Sequence, residues 1–383
     1  MTVEISVDEA TLVARRMQPC SVSRWPEIAE KIVGSLADAL RLPELLEPPV
    51  DARSCPAGYT HGYQYGDDAY MCIAYHYAEP EMGVIVKMSA TAFALWRQCS
   101  AKHIDGFIRM AAEGAEAVGC NVRLSRLDVT ADYIDEGDWT VTDIYSALVN
   151  KSAAAYYAKP GGASVTWVRH RSRPRSFERD GKTGTMYLGV ASKGSNAHMR
   201  LYDKKREQLE RHGRYYGRAE AVNSWIRLEV VLTNKYAHQA TDVLQDVEDA
   251  DELKHCLADM ILQRYSFFRL RAGKRSTPLP PTALLLDPER LRLPLSSVEP
   301  MRDLEDAYLY LRDGSGLYSL LLRVQMVWGT EAFEAVWGQL RAEYTFYKPS
   351  RSVRAMNDKK TAEYRKKYPT VSDFIERVRW RNE

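Results

Sequence analysis

Residues 185–204 read Thr185-Met-Tyr-Leu-Gly-Val-Ala-Ser-Lys-Gly-Ser-Asn-Ala-His-Met-Arg-Leu-Tyr-Asp-Lys204. Two runs in and around this stretch, 184–190 and 197–202, have the composition and alternation of β-strands, and they carry Tyr187 and Tyr202. Strand-like segments that contain carboxylates lie on both sides, Arg126-Leu-Asp-Val-Thr-Ala-Asp132 upstream and Arg227-Leu-Glu229 downstream. Together these segments predict a sheet on which tyrosines, carboxylates and cations meet.

Alternation decides which side chains share a face of each strand. The polar faces carry Arg126, Asp128, Thr130 and Asp132; Thr185 and Tyr187; Arg200, Tyr202 and Lys204; and Arg227 and Glu229. If these faces coincide, three carboxylates meet beside a tyrosine, and their mutual repulsion favours a cation between them. A hard divalent ion with oxygen ligands, Mg²⁺ or Mn²⁺, is therefore expected at Asp128, Asp132 and Glu229.

The bulk composition is that of an ordinary globular protein. The 383 residues are 45% hydrophobic and 27% charged, which is enough chain for two domains. No run of about 18 apolar residues is present, and the acidic N-terminus lacks the pattern of a signal peptide, so we expect a cytoplasmic protein that is not bound to a membrane. The six cysteines have no metal-ligand spacing, which argues against zinc and against a disulfide framework.

Positive charge is concentrated in two regions of the chain although the net charge is only +2. Residues 159–218 contain fifteen Lys and Arg against five Asp and Glu, and residues 341–383 contain twelve against six. Clustered positive charge of this kind is typical of proteins that bind a polyanion.

The order of helical and strand-like segments predicts an α+β fold, a mostly antiparallel sheet backed by helices. We expect an N-terminal helical segment over 1–55, a catalytic domain over 56–270 and a helical, basic region over 282–383. The Pro-rich run Thr277-Pro-Leu-Pro-Pro281 is interpreted as the linker before the last region.

The ordered motifs resemble those of the replication initiation factor family, which comprises rolling-circle initiators of plasmids and filamentous phages and related conjugative relaxases. The family pattern is an Arg-hydrophobic-Asp-x-x-x-Asp strand, a hairpin with Thr-x-Tyr-hydrophobic-Gly-Ser and Arg-hydrophobic-Tyr-(Asp/Glu)-Lys, and an Arg-hydrophobic-Glu strand. Residues 126–132, 185–204 and 227–229 match it, with Val190 in place of the usual serine. The chain lacks a His-hydrophobic-His pair, so its fold is expected to be relaxase-like and related to the histidine-based (HUH) initiators without their metal motif.

The resemblance implies a metal-dependent endonuclease that nicks and rejoins one strand of origin DNA. Tyr187 is then the nucleophile, with Tyr202 as the alternative, and attack leaves a 5′-phosphotyrosine and a 3′-OH primer. A phenol has a pKa near 10 and must be activated. Lys193, Arg200 and Lys204 are candidates for stabilising the charge that develops on the phosphate.

Further cations and one aromatic residue are candidate DNA contacts. Arginines suit phosphates and tryptophan can stack on an unpaired base. Either Ser192 or Ser195 is expected to replace the family's phosphate-contacting serine. The DNA-binding candidates are Arg126, Trp167, Arg169, Arg171, Arg173, Arg175, Ser192, Lys193, Arg200 and Arg227.

The expected partners are origin DNA, duplex and single-stranded, together with a host helicase and polymerase. A homodimer is a further expectation, because some relatives in the family act as dimers. Two other functions fit the same motifs: a conjugative relaxase of the same chemistry, and a non-catalytic DNA-binding regulator on the same fold.

Overall fold

The computed structural model describes residues 2–46, 49–52, 54–66, 71–161, 164–179, 181–192, 194–293, 304–309, 311–312, 316–347 and 360–379. The chain divides into two compact units. The first comprises Met1–Asp203 and Asn223–Val298, and the second comprises Lys204–Val222 and Glu299–Glu383. In the described residues no helix is long and apolar enough to cross a membrane.

Two sheets form the first unit. The strands are β1 (Thr2–Arg16), β2 (Val50–Asp51), β3 (His61–Tyr65), β4 (Met71–Tyr75), β5 (Val84–Met88), β6 (Cys120–Ile134), β7 (Ala153–Gly161), β8 (Ser164–Arg169), β9 (Arg175–Arg179), β10 (Lys182–Leu188), β11 (Ala197–Asp203), β12 (Trp225–Thr233), β13 (Ser266–Arg271), β14 (Lys274–Pro278) and β15 (Leu291–Arg292). The large sheet has the order β2-β3-β4-β5-β1-β6-β12-β11-β10-β9, with β15 beside β1, and the small sheet has the order β14-β13-β7-β8. Only the β1–β15 pair is parallel among these strands.

Helices occur in both units. In the first unit they are α1 (Trp25–Ala39), α2 (Leu42–Leu45), α3 (Ala90–Ser100), α4 (Ile104–Glu116), α5 (Val141–Val149), α8 (Asn234–Gln245), α9 (Ala250–Leu262) and α10 (Pro280–Leu285). In the second unit they are α6 (Lys204–Glu210), α7 (Tyr216–Ala221), α11 (Leu304–Leu309), α12 (Leu317–Trp328), α13 (Thr330–Tyr344) and a last helix, Val371–Val378. Helices α4, α8 and α9 pack on β6, whose apolar residues Leu127, Val129 and Ala131 are buried there. The predicted α+β class is confirmed.

The N-terminal prediction was wrong for residues 2–16. Residues 1–55 were expected to be helical, but β1 lies inside the large sheet between β5 and β6, and the helix starts only at Trp25. Val3, Ile5 and Val7 alternate with polar residues, as a half-buried strand requires. A register shift between Val7 and Ala10 breaks that alternation, so the strand pattern is visible only in two short pieces.

The expected linker is also ordered structure. The run 277–281 was predicted as a Pro-rich linker, but its first two residues belong to strand β14 of the β13–β14 hairpin and its last two begin helix α10. Ala272 and Gly273 have φ of 49° and 75°, the positive values that a two-residue hairpin turn needs. Pro281 and Thr282 are buried in the first unit, so the region expected to begin at 282 starts inside this unit.

Candidate active site

A row of polar side chains crosses the central strands of the large sheet. Tyr187 on β10 lies opposite Arg175 on β9 and opposite Arg200 on β11. Arg200 in turn lies opposite Glu229 on β12, and Glu229 lies opposite Thr130 on β6. Residues directly opposite each other share a face of the sheet. With strands about 4.8 Å apart, the backbones at Tyr187 and Glu229 are roughly 10 Å apart.

The two candidate nucleophiles have different environments. Tyr187 is 39% exposed, whereas Tyr202 is only 6% exposed. The Arg200 guanidinium lies over the Tyr202 ring, 5.4 Å from its centroid. A buried phenol under an arginine cannot approach a phosphorus atom, so the geometry favours Tyr187 over Tyr202.

A small cavity lies beside Tyr187. Its volume is about 160 Å³, and its polar lining consists of Arg126, Arg175, Tyr187, His198, Arg200 and Glu229. Three guanidinium groups line this cavity beside one carboxylate, and guanidinium donors suit an anionic ligand such as a phosphate.

Gly189 shapes the wall of this cavity. Its φ of +88° belongs to the region that glycine adopts at little cost. A Cβ atom at this position would lie 2.7 Å from the Tyr265 hydroxyl and 3.1 Å from the His198 Cα. The Tyr265 hydroxyl donates a hydrogen bond to the Ala197 carbonyl at 3.2 Å. Glycine at position 189 therefore allows both the positive φ of the turn and the close contact with Tyr265 and His198 behind the cavity.

Two carboxylates at the site are paired with arginines. Arg126 donates to both oxygens of Asp128, Nε to Oδ1 at 2.8 Å and Nη2 to Oδ2 at 2.7 Å. Its Nη1 is also 3.5 Å from Glu9 Oε1. Arg200 Nη2 lies 2.7 Å from Glu229 Oε2. Asp128 and Glu229 are almost completely buried.

Asp132, the third predicted metal ligand, forms a buried ion pair between two strands. Arg227 donates to both oxygens of Asp132 at 2.7 Å, and both side chains are buried. Arg227 Nη1 also donates to Asp8 at 3.3 Å. This pair joins β6 to β12 and does not line the cavity beside Tyr187. The burial also leaves Arg227, a predicted DNA contact, out of reach of a phosphate.

Burial makes the carboxylates of the site hard to ionise. It raises the pKa of Asp128 to about 6, although Arg126 opposes the change, and Glu9 and Asp8 add to it. It raises the pKa of Glu229 to about 7, against the effect of Arg200 and with a further contribution from Asp8. Crowded, desolvated carboxylates of this kind are typical of functional sites.

Three residues of the site were missed by sequence reasoning. Asp8 and Glu9 lie at the register shift of β1, which brings them to the acidic cluster. The break in the Val-x-Val alternation at Val7-Asp-Glu-Ala10 was the signal for this bulge. His198 lines the cavity, and burial together with Arg126 and Arg200 lowers its pKa, which favours the neutral ring.

The remaining predicted residues are distributed more widely. Arg169, Arg171 and Arg173 are exposed on β8 and the loop after it, and Ser192 is exposed as well. The Ser195 hydroxyl donates to the Ala197 carbonyl at 3.0 Å and so has a structural partner. Lys204 belongs to the second unit, where it pairs with Glu207 at 2.6 Å. Lys193 lies outside the described residues.

The carboxylates around Asp128 and Glu229 have the charge and the oxygen donors that suit a divalent cation, but they are not arranged as a complete metal-binding site. Across the described chain, no three His, Cys, Asp or Glu side chains are placed to hold a metal ion. The ion pairs of this cluster nevertheless join five carboxylates to three guanidinium groups, and Glu9 Oε1 is buried without a hydrogen bond. An excess of negative charge on oxygen donors is the chemistry that Mg²⁺ and Mn²⁺ prefer.

Two comparisons with known proteins agree with these observations. Residues 122–282, which contain the polar row and the cavity, match the profile of the replication initiation factor family. The resemblance to the replication initiation factor family is confirmed. The fold is similar to that of a rolling circle replication initiator protein from Geobacillus stearothermophilus, with a TM-score of 0.51 and 15% identity over 76% of this chain and 98% of that one. None of the curated protein sequences matches this chain.

Proposed function

We propose that the protein is a rolling-circle initiator that nicks one strand of origin DNA through Tyr187. The observation that carries the proposal is the row Arg175, Tyr187, Arg200 and Glu229, in which an exposed phenol stands between two arginines at a cavity lined by guanidinium groups. Phosphoryl transfer needs a nucleophile and nearby cations, and this row supplies both.

The reaction is a transesterification at phosphorus. The Tyr187 oxygen forms a bond to the phosphorus atom, and the bond from phosphorus to the 3′ oxygen of the preceding nucleotide breaks. The phenol loses its proton and the 3′ oxygen gains one, which leaves a 5′-phosphotyrosine and a 3′-OH that can prime synthesis. The phosphodiester energy is kept in the new link, so the reverse reaction rejoins the strand.

The arginines at the cavity have separate roles in this proposal. Arg175 and Arg200 lie directly opposite Tyr187 on the neighbouring strands, where they can hold the scissile phosphate and stabilise its developing charge. Arg126 lies at the same cavity beside Asp128. Lys204 pairs with Glu207 at 2.6 Å. In this proposal Lys204 leaves Glu207 and contacts a phosphate when DNA binds.

Mg²⁺ or Mn²⁺ is the proposed cofactor. Asp128 and Glu229 are the residues that would hold it, with Asp8 and Glu9 as additional donors in place of Asp132. When bound, such an ion supplies Lewis-acid polarisation of the phosphate. The protein's own contribution is to keep oxygen donors buried and crowded next to the nucleophile.

Origin DNA is the proposed substrate and partner. The exposed arginines between β8 and β9 lead along the chain to Arg175, so they are suited to phosphates on either side of the scissile one. A host helicase and polymerase would act on the nicked product, and assembly as a homodimer belongs to the same proposal.

Covalent-adduct formation tests the proposal. The protein is incubated with supercoiled origin DNA and Mn²⁺, and denaturing gels are probed for nicked circles that carry protein. Tyr187→Phe should form no adduct, whereas Tyr202→Phe, the matched removal of one hydroxyl, should keep it. Adduct formation by Tyr187→Phe would transfer the role to Tyr202. Origin binding without adduct in the wild-type protein would identify a DNA-binding regulator.

A further inference from the structure

The small sheet presents a second, separate surface that contains aromatic rings. Trp167 on β8 lies opposite Ala158, and Arg169 lies opposite Tyr156 on β7, so these side chains share a face. Tyr156 and Phe268 form a small cluster on this face, apart from the main core, and Trp167 packs against it. We call this surface the aromatic face and define it by Tyr156, Trp167, Arg169, Phe268 and Arg275.

An arginine lies over the rings of the aromatic face. The Arg275 guanidinium is 4.7 Å from the Phe268 centroid and 5.0 Å from the Trp167 centroid. Phe268 and Tyr156 are buried, but Trp167 is only half-buried and Arg275 is exposed. The accessible part of the face is therefore one indole ring with a planar cation beside it.

The charge around the aromatic face has a single sign. The four strands β7, β8, β13 and β14 contain no Asp or Glu. Of their six cations, Arg169 and Arg275 lie on the aromatic face. The other four alternate to the opposite face of the small sheet: Lys159, Arg269, Arg271 and Lys274. Over the described chain none of these six forms an ion pair with a carboxylate. Arg169 and Arg275, two cations without a carboxylate partner on the same face as the indole ring, fit a ligand that has both phosphates and flat apolar rings.

The aromatic face is connected to the active site by a basic segment. Arg169 ends β8, and the exposed Arg171 and Arg173 follow in the loop to β9. β9 begins at Arg175, which lies opposite Tyr187. Cations thus follow the chain from the aromatic face to the nucleophile.

We propose that the aromatic face binds single-stranded DNA. An unpaired base stacks against the pair that the Trp167 indole and the Arg275 guanidinium form, and Arg169, Arg171 and Arg173 contact the phosphates toward Tyr187. Single strands fit better than duplex, because in a duplex the base faces are covered by their neighbours. The inference rests on the proposed function only in naming the bound strand as the one that carries the scissile phosphate.

Affinity for a short fluorescent oligothymidylate tests the aromatic face without any cleavage. Anisotropy titrations should show Trp167→Ala and Arg275→Ala binding on the order of tenfold more weakly than wild type. Trp167→Phe, which keeps a ring, should retain most of the affinity. Arg24→Ala removes an exposed guanidinium elsewhere in the first unit and should bind like wild type.

Salt and cleavage experiments separate this inference from the proposed function. Arg169→Ala should reduce the slope of log affinity against log salt by about 0.7. If Trp167→Ala binds the oligonucleotide weakly and the wild-type protein never forms an adduct, the inference about the aromatic face is upheld and the nicking proposal fails. Two results would overturn the inference about the aromatic face: unchanged binding by folded Trp167→Ala and Arg275→Ala, or an equal loss of affinity for duplex DNA in these variants.

Discussion

At the residue scale, the site depends on which of two similar tyrosines is accessible. Both lie on strands of one hairpin and on the same face of the sheet. Tyr202 lies opposite Arg227, in the row of the buried Asp132–Arg227 pair, whereas Tyr187 lies one row away at the cavity. A shift of two residues along the strand therefore separates a packed phenol from an exposed one.

Gly189→Ala should destabilise the protein more than a glycine substitution at a similarly positive φ. Gly181 has a φ of +71°, and a Cβ atom added there would meet no other atom within 4 Å, so Gly181→Ala measures the backbone cost alone, about 1 kcal/mol. Gly189→Ala adds a clash with the Tyr265 hydroxyl and should lose clearly more free energy of unfolding in urea titrations. Tyr265→Phe in the Gly189→Ala background should recover part of the loss. Equal losses for the two glycine variants would contradict the packing argument.

The pH dependence of stability should report the burial of Glu229. Its folded pKa of about 7 lies above the ordinary 4.5, so the folded state retains a proton that the unfolded state has lost. Stability is therefore lost as pH rises from about 4.5 to about 7. Glu229→Gln does not titrate, so its free energy of unfolding relative to wild type should rise across this window, by about 3 kcal/mol in metal-free buffer. A difference that is flat with pH would mean that Glu229 ionises normally.

At the element scale, the central strands are joined by buried ion pairs as well as by backbone hydrogen bonds. The Asp132–Arg227 pair links β6 to β12, and Ser6 Oγ and Thr130 Oγ1 share a 2.8 Å hydrogen bond between β1 and β6. Strand β1 thereby joins the site to the N-terminus of the chain. Its bulge supplies Asp8 and Glu9, so an element that was predicted to be helical contributes two carboxylates to the site.

Breaking the strand-joining pair should be costly. Asp132→Ala leaves the Arg227 guanidinium buried with the longer and weaker contact to Asp8, and we expect a loss of about 3 kcal/mol in urea unfolding. The double variant Asp132→Leu/Arg227→Met removes both charges and should recover much of that loss. Asp242→Ala, which breaks the exposed pair with Arg123, should cost less than about 1 kcal/mol. Similar losses for Asp132→Ala and Asp242→Ala would argue against a structural role for the buried pair.

At the scale of the whole molecule, the excess of carboxylates over guanidinium groups around Asp128 and Glu229 predicts that metal binding stabilises the folded chain. Mn²⁺ at about one hundred times its dissociation constant should raise the free energy of unfolding by about 3 kcal/mol, because only the folded chain gathers the donors. Thermal unfolding with and without EDTA measures this shift. Asp128→Asn/Glu229→Gln should abolish it and Asp242→Ala should keep it. The same shift in all three proteins would place the metal elsewhere.

The amino-acid sequence determined the fold class, the family resemblance and the strand faces on which Tyr187, Asp128 and Glu229 lie, because alternation and motif order are local properties of the chain. Tertiary structure decided which tyrosine is exposed, which carboxylates pair with which arginines, and that β13 and β14 complete a second sheet. These outcomes depend on contacts between distant residues, such as Asp132 with Arg227 and Ser6 with Thr130. A bulge of one extra residue in β1 changes such contacts while leaving only a small trace in the sequence.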